Sequence, residues 1–311
     1  MGSMITIPIT VIISPEKHPD RVFASPSGRG RRARAGEGKR QTPSSPALLP
    51  EGEGGRRLLA DNLKLLIATN MIDIHCHLLP GVDDGPGTME AALEMARLAV
   101  QNGITHVVAT SHITPGRYDN TLKSLTGVYQ EFTRALKSHN VPLQTALASE
   151  VRLDPVIIHM VEAGTLPFLG EDGGNRLLLL EFPHTSIPPG GLELVRWLRQ
   201  RGIKPVIAHP ERNRAVINNV RNLEPYLKAG CLLQVTSGSL SGIFGDVPKK
   251  TAIKLLKLGW VTVMASDAHN CKLRPPEIES GRAVAEKIVG AKESWALVRE
   301  RPLQMIAGHF H

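Results

Sequence analysis

Residues 71–85 read MIDIHCHLLPGVDDG, an apolar run that delivers His75 and His77 and then a loop with Asp83 and Asp84. Strand side chains alternate, so residues i and i+2 share a face and both imidazoles point the same way. Two like-facing imidazoles can pinch one metal ion, or they can be two unrelated polar residues at a strand end. Farther along, other apolar runs close on the same kinds of side chain. HVVATSH ends at His112, LQTALASE at Glu150, LLLLEFP at Glu181, PVIAHPE passes through His209, and VTVMASDAH carries Asp267 and His269. His, Asp and Glu are the donors that hold Zn²⁺, Mn²⁺ or Fe. A single His at a strand end is more often a hydrogen-bonded structural residue than a ligand. Glu181 resists that reading, because an unpaired carboxylate beside an apolar strand is costly to bury. Of seven such runs only LLQVTSG, ending at Thr236-Ser237-Gly238, lacks a strong ligand, a frequency that is hard to obtain by chance.

So many donors exceed the needs of one ion, since a mononuclear catalytic zinc uses about three protein ligands. The strand-end residues, with Asp84 as the loop carboxylate, imply two or three ions joined by bridging oxygens. Such a site lowers the pKa of a bridging water and clamps anionic oxygens, which suits phosphoester hydrolysis. Arg212 in HPER and Arg274 in HNCKLRPP follow His209 and His269. A guanidinium fork matches a phosphate edge. Either arginine alone could be a solvated surface residue; their paired placement points to substrate binding.

The donors converge only if the runs are strands of one sheet. Between most of them lie helical stretches. Thr88 is placed to cap MEAALEMARLAVQ, which stops at Asn102-Gly103; LELVRWLRQ ends at Gly202, LEPYLKA at Gly230 and AIKLLKL at Gly259. Helix, glycine and near-continuous apolar strand in succession indicate βαβ units and a parallel sheet covered on both sides. Seven strands alternating with helices predict a closed or nearly closed barrel, whose strand carboxyl ends share one mouth. An open doubly wound sheet is also compatible with the pattern alone.

Bulk composition narrows the function classes. The chain has 311 residues, 41% of them apolar and 21% charged. Cys76, Cys231 and Cys271 are far apart and form no CxxC, which argues against a disulfide framework or zinc ribbon and for a reducing, cytoplasmic compartment. A cysteine-dependent tyrosine phosphatase needs Cys-x5-Arg, but the residues in the arginine position are Val82, Ser237 and Glu277. No run of about 18 apolar residues predicts a membrane span. The net charge of +8 sits mainly in residues 1–70, which hold 11 Lys/Arg against 6 Asp/Glu and leave 26 against 23 for the rest, so no nucleic-acid footprint is read. Residues 1–70 are expected to be a disordered, Arg/Pro/Gly/Ser-rich extension, because that composition buries too little apolar surface to offset ordering entropy. Met71 would serve as a natural start, with the upstream residues extra translated sequence; a transit peptide is the other reading, weakened by interspersed acids. Residues 71–311 are expected to form the metallophosphoesterase domain.

With these residues laid out, the chain resembles the PHP superfamily (polymerase and histidinol phosphatase). More narrowly it is similar to the bacterial manganese-dependent protein-tyrosine phosphatases of capsular and exopolysaccharide synthesis. The resemblance runs from about Met71 to Gly308 through MIDIHCHLLPGVDDGP, ATSH with GRYDN, SEVR, LLLEFP, IAHPER, VTSGSLSGIFG and ASDAHNCKLRPP. It implies a distorted (β/α)7 barrel, an α/β fold, holding two or three ions, Mn²⁺ foremost with Fe, Zn or Mg as other candidates. His75, His77, Glu150 and Asp267 would hold the first ion; Glu150 would bridge to a second, shared with Glu181 and His209; Asp84, His112 and His269 would hold a third. Arg212 and Arg274 would receive phosphate and, with Asp267, make up the catalytic residues, a metal-bridging hydroxide attacking phosphorus without a phospho-enzyme. The implied partner is a membrane-associated autophosphorylating tyrosine kinase whose Tyr-rich tail is the substrate. Ser111 stands where the family often has proline and Ile113 where it often has histidine; neither removes a ligand, and both bear on substrate fit. Two other functions fit the residues: a small-molecule phosphoesterase such as a histidinol-phosphate phosphatase, and a non-catalytic metal-binding regulator of a kinase. The complete ligand set argues against the regulator.

Overall fold

The computed structural model of the chain describes residues 70–310. The expected disordered segment lies, up to residue 69, outside the described residues. The chain runs through β1 (Met71–Cys76), β2 (Ile104–Ala109), β3 (His112–Ile113), β4 (Gln144–Leu147), β5 (Glu150–Arg152), β6 (Gly170–Asp172), β7 (Asn175–Glu181), β8 (Ile203–Ala208), β9 (Leu232–Thr236) and β10 (Val263–Ala265). Parallel pairing joins β1, β2 and β4 into one sheet, and β10, β9, β8, β7, β5 and β3 into a second. Among the described strands only β6 runs antiparallel, as a hairpin on β7.

There are ten strands where seven apolar runs were expected, and the hairpin strand accounts for only one of the extra three. HVVATSH becomes β2 and β3, and LQTALASE becomes β4 and β5: each run leaves the first sheet partway and continues in the second. Hydrogen bonds across the breaks explain why the switch is tolerated. Thr110 N donates to Cys76 O at 2.9 Å, and Cys76 N donates to Thr110 Oγ1 at 3.0 Å. Glu150 N donates to Thr110 O at 3.1 Å. The last stave returns to the first where Asp267 N donates to His75 O at 2.8 Å and His77 N to Ala268 O at 2.9 Å. Buried Asp73 clamps this seam, accepting from Ser266 N at 3.0 Å and from the Ser266 hydroxyl. The result is a ring of staves whose ladder is split between two sheets, in keeping with the nearly closed barrel that the pattern predicts and the distorted one that the resemblance implies.

Two apolar clusters fill it. The larger lies between the strands and the helices. Its contributors include Leu178, Leu180 and Ile207 of the sheet and Ala92, Leu93, Met95 and Ala96 of the helix Met89–Gln101. That helix begins where Thr88 Oγ1 accepts from Ala91 N at 3.3 Å, as its sequence predicts. The smaller cluster takes the opposite alternates, among them Ile72, Ile74, Val108, Ala146, Leu177, Leu179, Val206 and Val263, and fills the inside of the ring. Met305 and Ile306 belong to this inner cluster as well. The expected helix LEPYLKA is cut to Glu224–Lys228, because Pro225 lies in its first turn and a 3₁₀ turn, Val220–Leu223, precedes it.

Candidate metal centre

The inner alternates lead directly into the polar residues. Leu177 and Leu179 are followed on the same face by Glu181; Ala146 and Ala148 by Glu150; Val263 and Ala265 by Asp267. Strand periodicity thus stacks an apolar plug beneath a ring of candidate ligands. Two backbone distortions complete the aim. His209 (φ 32°) and Asp267 (φ 53°) are two of the three non-glycine residues with positive φ among those described. Such conformations cost of order 1–3 kcal/mol and persist where surrounding contacts over-determine them. Here they turn the chain at the ends of β8 and β10.

All nine expected ligands come together. His75 Nε2 stands 3.3 Å from His77 Nε2, 3.2 Å from Asp267 Oδ1 and 3.4 Å from Glu150 Oε2. His77 Nε2 is 3.4 Å from Glu150 Oε2 and 3.5 Å from Asp267 Oδ1. Donors roughly 2.1 Å from a common ion and adjacent around it have this separation. Four compact sets share members: His75, His77 and Asp267; His75, Glu150 and His209; His112, Glu150 and Glu181; and His77, Asp84, His112 and His269. In these sets Glu181 falls beside His112, and His209 beside His75.

The donor set fits divalent cations. Glu150 Oε2, Glu181 Oε2, Asp267 Oδ1, His112 Nδ1 and His269 Nε2 are buried without hydrogen-bond partners. Leaving each unsatisfied costs on the order of 1–3 kcal/mol or more. Ligation requires neutral imidazole and ionised carboxylate, and the charge states of Glu150, Asp267 and His209 suit it. Burial opposes ionisation of Glu150 and Asp267, yet their neighbours hold both well below the usual carboxylate range: His75, His112 and His209 around Glu150, and Arg212, His75 and Arg274 around Asp267. Burial, with Arg212 beside it, pushes His209 down to about 3. Burial opposes protonation of His77 too, but Asp267, Asp83 and Glu150 raise it well above normal, so a proton there takes the place of cationic charge. Glu181 is pushed up to about 7 by burial and the adjacent Glu150.

A second layer orients the imidazoles. His75 Nδ1 lies 2.8 Å from Gln234 Oε1, His77 Nδ1 2.9 Å from Asp83 Oδ2, and His269 Nδ1 3.1 Å from Asp267 O. Each acceptor fixes the proton on Nδ1 and turns the Nε2 lone pair towards the centre. Asp83 is itself pinned by His112 N at 3.0 Å and Gly85 N at 2.9 Å. A Cβ at Gly85 would stand 2.6 Å from His77 O, so the DDG loop closes only with glycine there. Gln234 lies on LLQVTSG, the apolar run whose end offers no strong ligand, and Asp83 adjoins the candidate ligand Asp84; neither signal by itself marks an orienting residue.

The arginines also reach the centre. Arg212 Nη2 and Arg274 Nη2 each lie 2.7 Å from Asp267 Oδ2, while Arg212 Nε and Arg274 Nε are buried without an acceptor. The cavity above these groups measures about 150 Å³, and Thr114, Arg117, Tyr118, Arg152 and His184 complete its wall. Tyr118 stacks on His112, with ring centroids 5.4 Å apart and planes within 3°. Arg152 Nε approaches Glu181 Oε2 to 3.3 Å. Tyr118 and Arg152 belong to the GRYDN and SEVR stretches but carry no strand-end signal. Cys76, by contrast, joins the outer apolar cluster, and burial raises its thiol pKa well above normal.

A parallel α/β ring with a convergent His, Asp and Glu cluster at its strand ends, flanked by arginines, defines a metallohydrolase-type protein. The chain belongs to the family described as "Capsular polysaccharide synthesis, CpsB/CapC", which it matches over residues 71–307. It is 35% identical over 233 residues to the tyrosine-protein phosphatase YwqE of Bacillus subtilis, an alignment covering 75% of this chain and 91% of that one. It is 31% identical over 244 residues to the tyrosine-protein phosphatase CpsB of Streptococcus pneumoniae, covering 76% and 98%. A solved structure from work describing YwqE and CpsB as unique metal-dependent tyrosine phosphatases superposes with a TM-score of 0.71 at 33% identity, over 77% of this chain and 95% of that one.

Proposed function

We propose that residues 71–311 form a metal-dependent protein-tyrosine phosphatase that hydrolyses phosphotyrosine on a membrane-associated tyrosine autokinase in the cytoplasm, and so controls capsular or exopolysaccharide synthesis. The observation that carries this reading is the buried convergence of Glu150, Glu181, Asp267, His112 and His269 atoms that have no hydrogen-bond partner, beside two guanidiniums with acceptor-free Nε groups. His75, His77, Asp84, His112, Glu150, Glu181, His209, Asp267 and His269 would hold two or three ions, with Mn²⁺ the proposed metal. Bound there, such ions supply Lewis-acid polarisation of phosphoryl oxygens and acidification of water. Arg212 and Arg274 bind and orient the phosphate through their forked donors, and Asp267 holds both guanidiniums in place through Oδ2 while Oδ1 faces the histidines. Gln234 and Asp83 keep His75 and His77 in the ligating tautomer. Tyrosine-phosphatase relatives favour a protein substrate over a small phosphoester. Among the described residues no helix is long and apolar enough to cross a membrane.

Hydrolysis of a phosphotyrosine peptide by metal-stripped protein, before and after Mn²⁺ is restored, tests the proposal, with histidinol phosphate as the comparison substrate. Metal-restored turnover of the peptide, abolished by Asp267→Ala, is the expected result. Turnover of histidinol phosphate with the peptide untouched would assign a small-molecule phosphoesterase. Peptide turnover that survives Asp267→Ala would overturn the ligand assignment.

A further inference from the structure

Phe244 occupies an unusual place for an aromatic side chain. It belongs to neither apolar cluster and is only half-buried. Its ring instead lies against the two arginines, 4.9 Å from Arg212 Cζ and 5.8 Å from Arg274 Cζ. These distances fall within the range of attraction between a cation and an aromatic face. Gly238 holds the ring there, since a Cβ at that position would meet Phe244 Cε2 at 3.0 Å. The surroundings are also apolar where solvent should favour polar groups. Ile243, beside Phe244, is 50% exposed, and Leu273, beside Arg274, is 78% exposed.

We propose that Phe244 is a specificity-determining residue whose ring packs against the aryl group of an aryl phosphate held on Arg212 and Arg274, giving the site its preference for phosphotyrosine over alkyl phosphates. This rests on the phosphatase reading above. A phosphate received by the guanidiniums would bring its ester group to the arginine side of the cavity, next to the ring that lies against both arginines. An aromatic ester gains an offset-stacked or edge-to-face contact there; a serine or alkyl ester, with little apolar surface, gains almost nothing. Tyr118, stacked on His112, is an aromatic surface of the cavity wall itself, while Phe244 adjoins that wall through Arg212 and Arg274.

A role confined to holding the arginines would affect every phosphate equally, so the ratio between ligands separates the two roles. The experiment measures dissociation constants of phenylphosphonate and methylphosphonate by calorimetry on metal-loaded wild type and F244A, F244L and F244Y, with folding checked by circular dichroism. The wild type should favour the phenyl ligand, and F244A should reduce that preference about tenfold, the scale of one lost aromatic contact together with its buried area. F244L, which keeps apolar bulk without a ring, should lose most of it and serves if F244A does not fold. F244Y should retain it. An unchanged phenyl-to-methyl ratio in F244A and F244L, with both affinities falling together, overturns the proposal. Phosphotyrosine-peptide turnover by the same wild-type preparation keeps the two readings apart. Turnover with an unchanged ratio sinks only the aryl wall, and a ring-dependent preference without turnover upholds the wall and sinks only the phosphatase.

Discussion

Replacing Asp83 by asparagine separates a residue that orients a ligand from one that ligates. Asp83 Oδ2 accepts from His77 Nδ1 at 2.9 Å and from His112 N at 3.0 Å, and Oδ1 accepts from Gly85 N at 2.9 Å. Asparagine that keeps the Gly85 N bond through its single oxygen places its amide at the Oδ2 position, where it faces His77 Nδ1 and His112 N as a donor. The imidazole must then carry its proton on Nε2, the atom that points at His75, Glu150 and Asp267. Although burial opposes its ionisation, Asp83 is held down at about 2 against an ordinary 3.8, chiefly by His77. That depression corresponds to roughly 2.5 kcal/mol, or about sixtyfold. Loss of a carboxylate behind a ligating histidine typically weakens metal binding about 10- to 100-fold, which agrees. The expected outcome is therefore a metal-activation midpoint shifted about sixtyfold to higher concentration, with kcat recovering near the wild-type value once metal is saturating. Activity titrated with Mn²⁺ on a phosphotyrosine substrate, with bound metal counted by elemental analysis, reads both quantities. An unshifted midpoint would refute the tautomer argument, and a kcat that never recovers would place Asp83 in the chemistry itself. The sign of the pH dependence follows from the lowered pKa. The carboxylate's contribution to folding of the metal-free protein is present above about 3.8 and is lost as pH falls through about 2, so the stability gap between wild type and D83N should close over that window.

Other outcomes are expected from the same geometry. Arg212→Lys and Arg274→Lys should each raise KM about 10-fold or more by removing a fork that a point charge cannot replace, while metal content stays at the wild-type level; a lost metal complement would instead show that the arginines act through Asp267. Gln234→Leu should weaken metal binding by about tenfold by freeing His75 Nδ1, measured in the same titration. Stripping the metal should lower the melting temperature by several degrees, recovered in proportion to added Mn²⁺; a melt indifferent to metal would argue against the burial of unpaired donors as a cation site. Iodoacetamide should label Cys271, which is partly exposed, well before buried Cys76 and Cys231, the latter with its pKa raised by burial to about 12, and labelling should leave turnover intact. Inactivation in step with labelling of any of these thiols would revive a cysteine-dependent mechanism.

The candidate ligands were legible because their signal is local. Alternation over four or five residues puts Glu150, Glu181 and Asp267 on the face already marked by Ala148, Leu179 and Ala265, and parallel strands bring their carboxyl ends to one side. The capped helix Met89–Gln101 was likewise legible, because Thr88 and the apolar stripe of Ala92, Met95, Ala96 and Ala99 are neighbours along the chain. What tertiary structure alone decided involves residues far apart in sequence. The switch of β2 into β3 depends on Thr110 bonding to Cys76, 34 residues away. Gln234 meets His75 across 159 residues, and no periodicity singles out which side chain of β9 will face an imidazole. His209 and Asp267 adopt left-handed backbone angles because the seam and the arginines hold them, a strain invisible in residue type. Phe244 reads in sequence as one more apolar residue. Only the folded loop sets its ring on two guanidiniums instead of in the core.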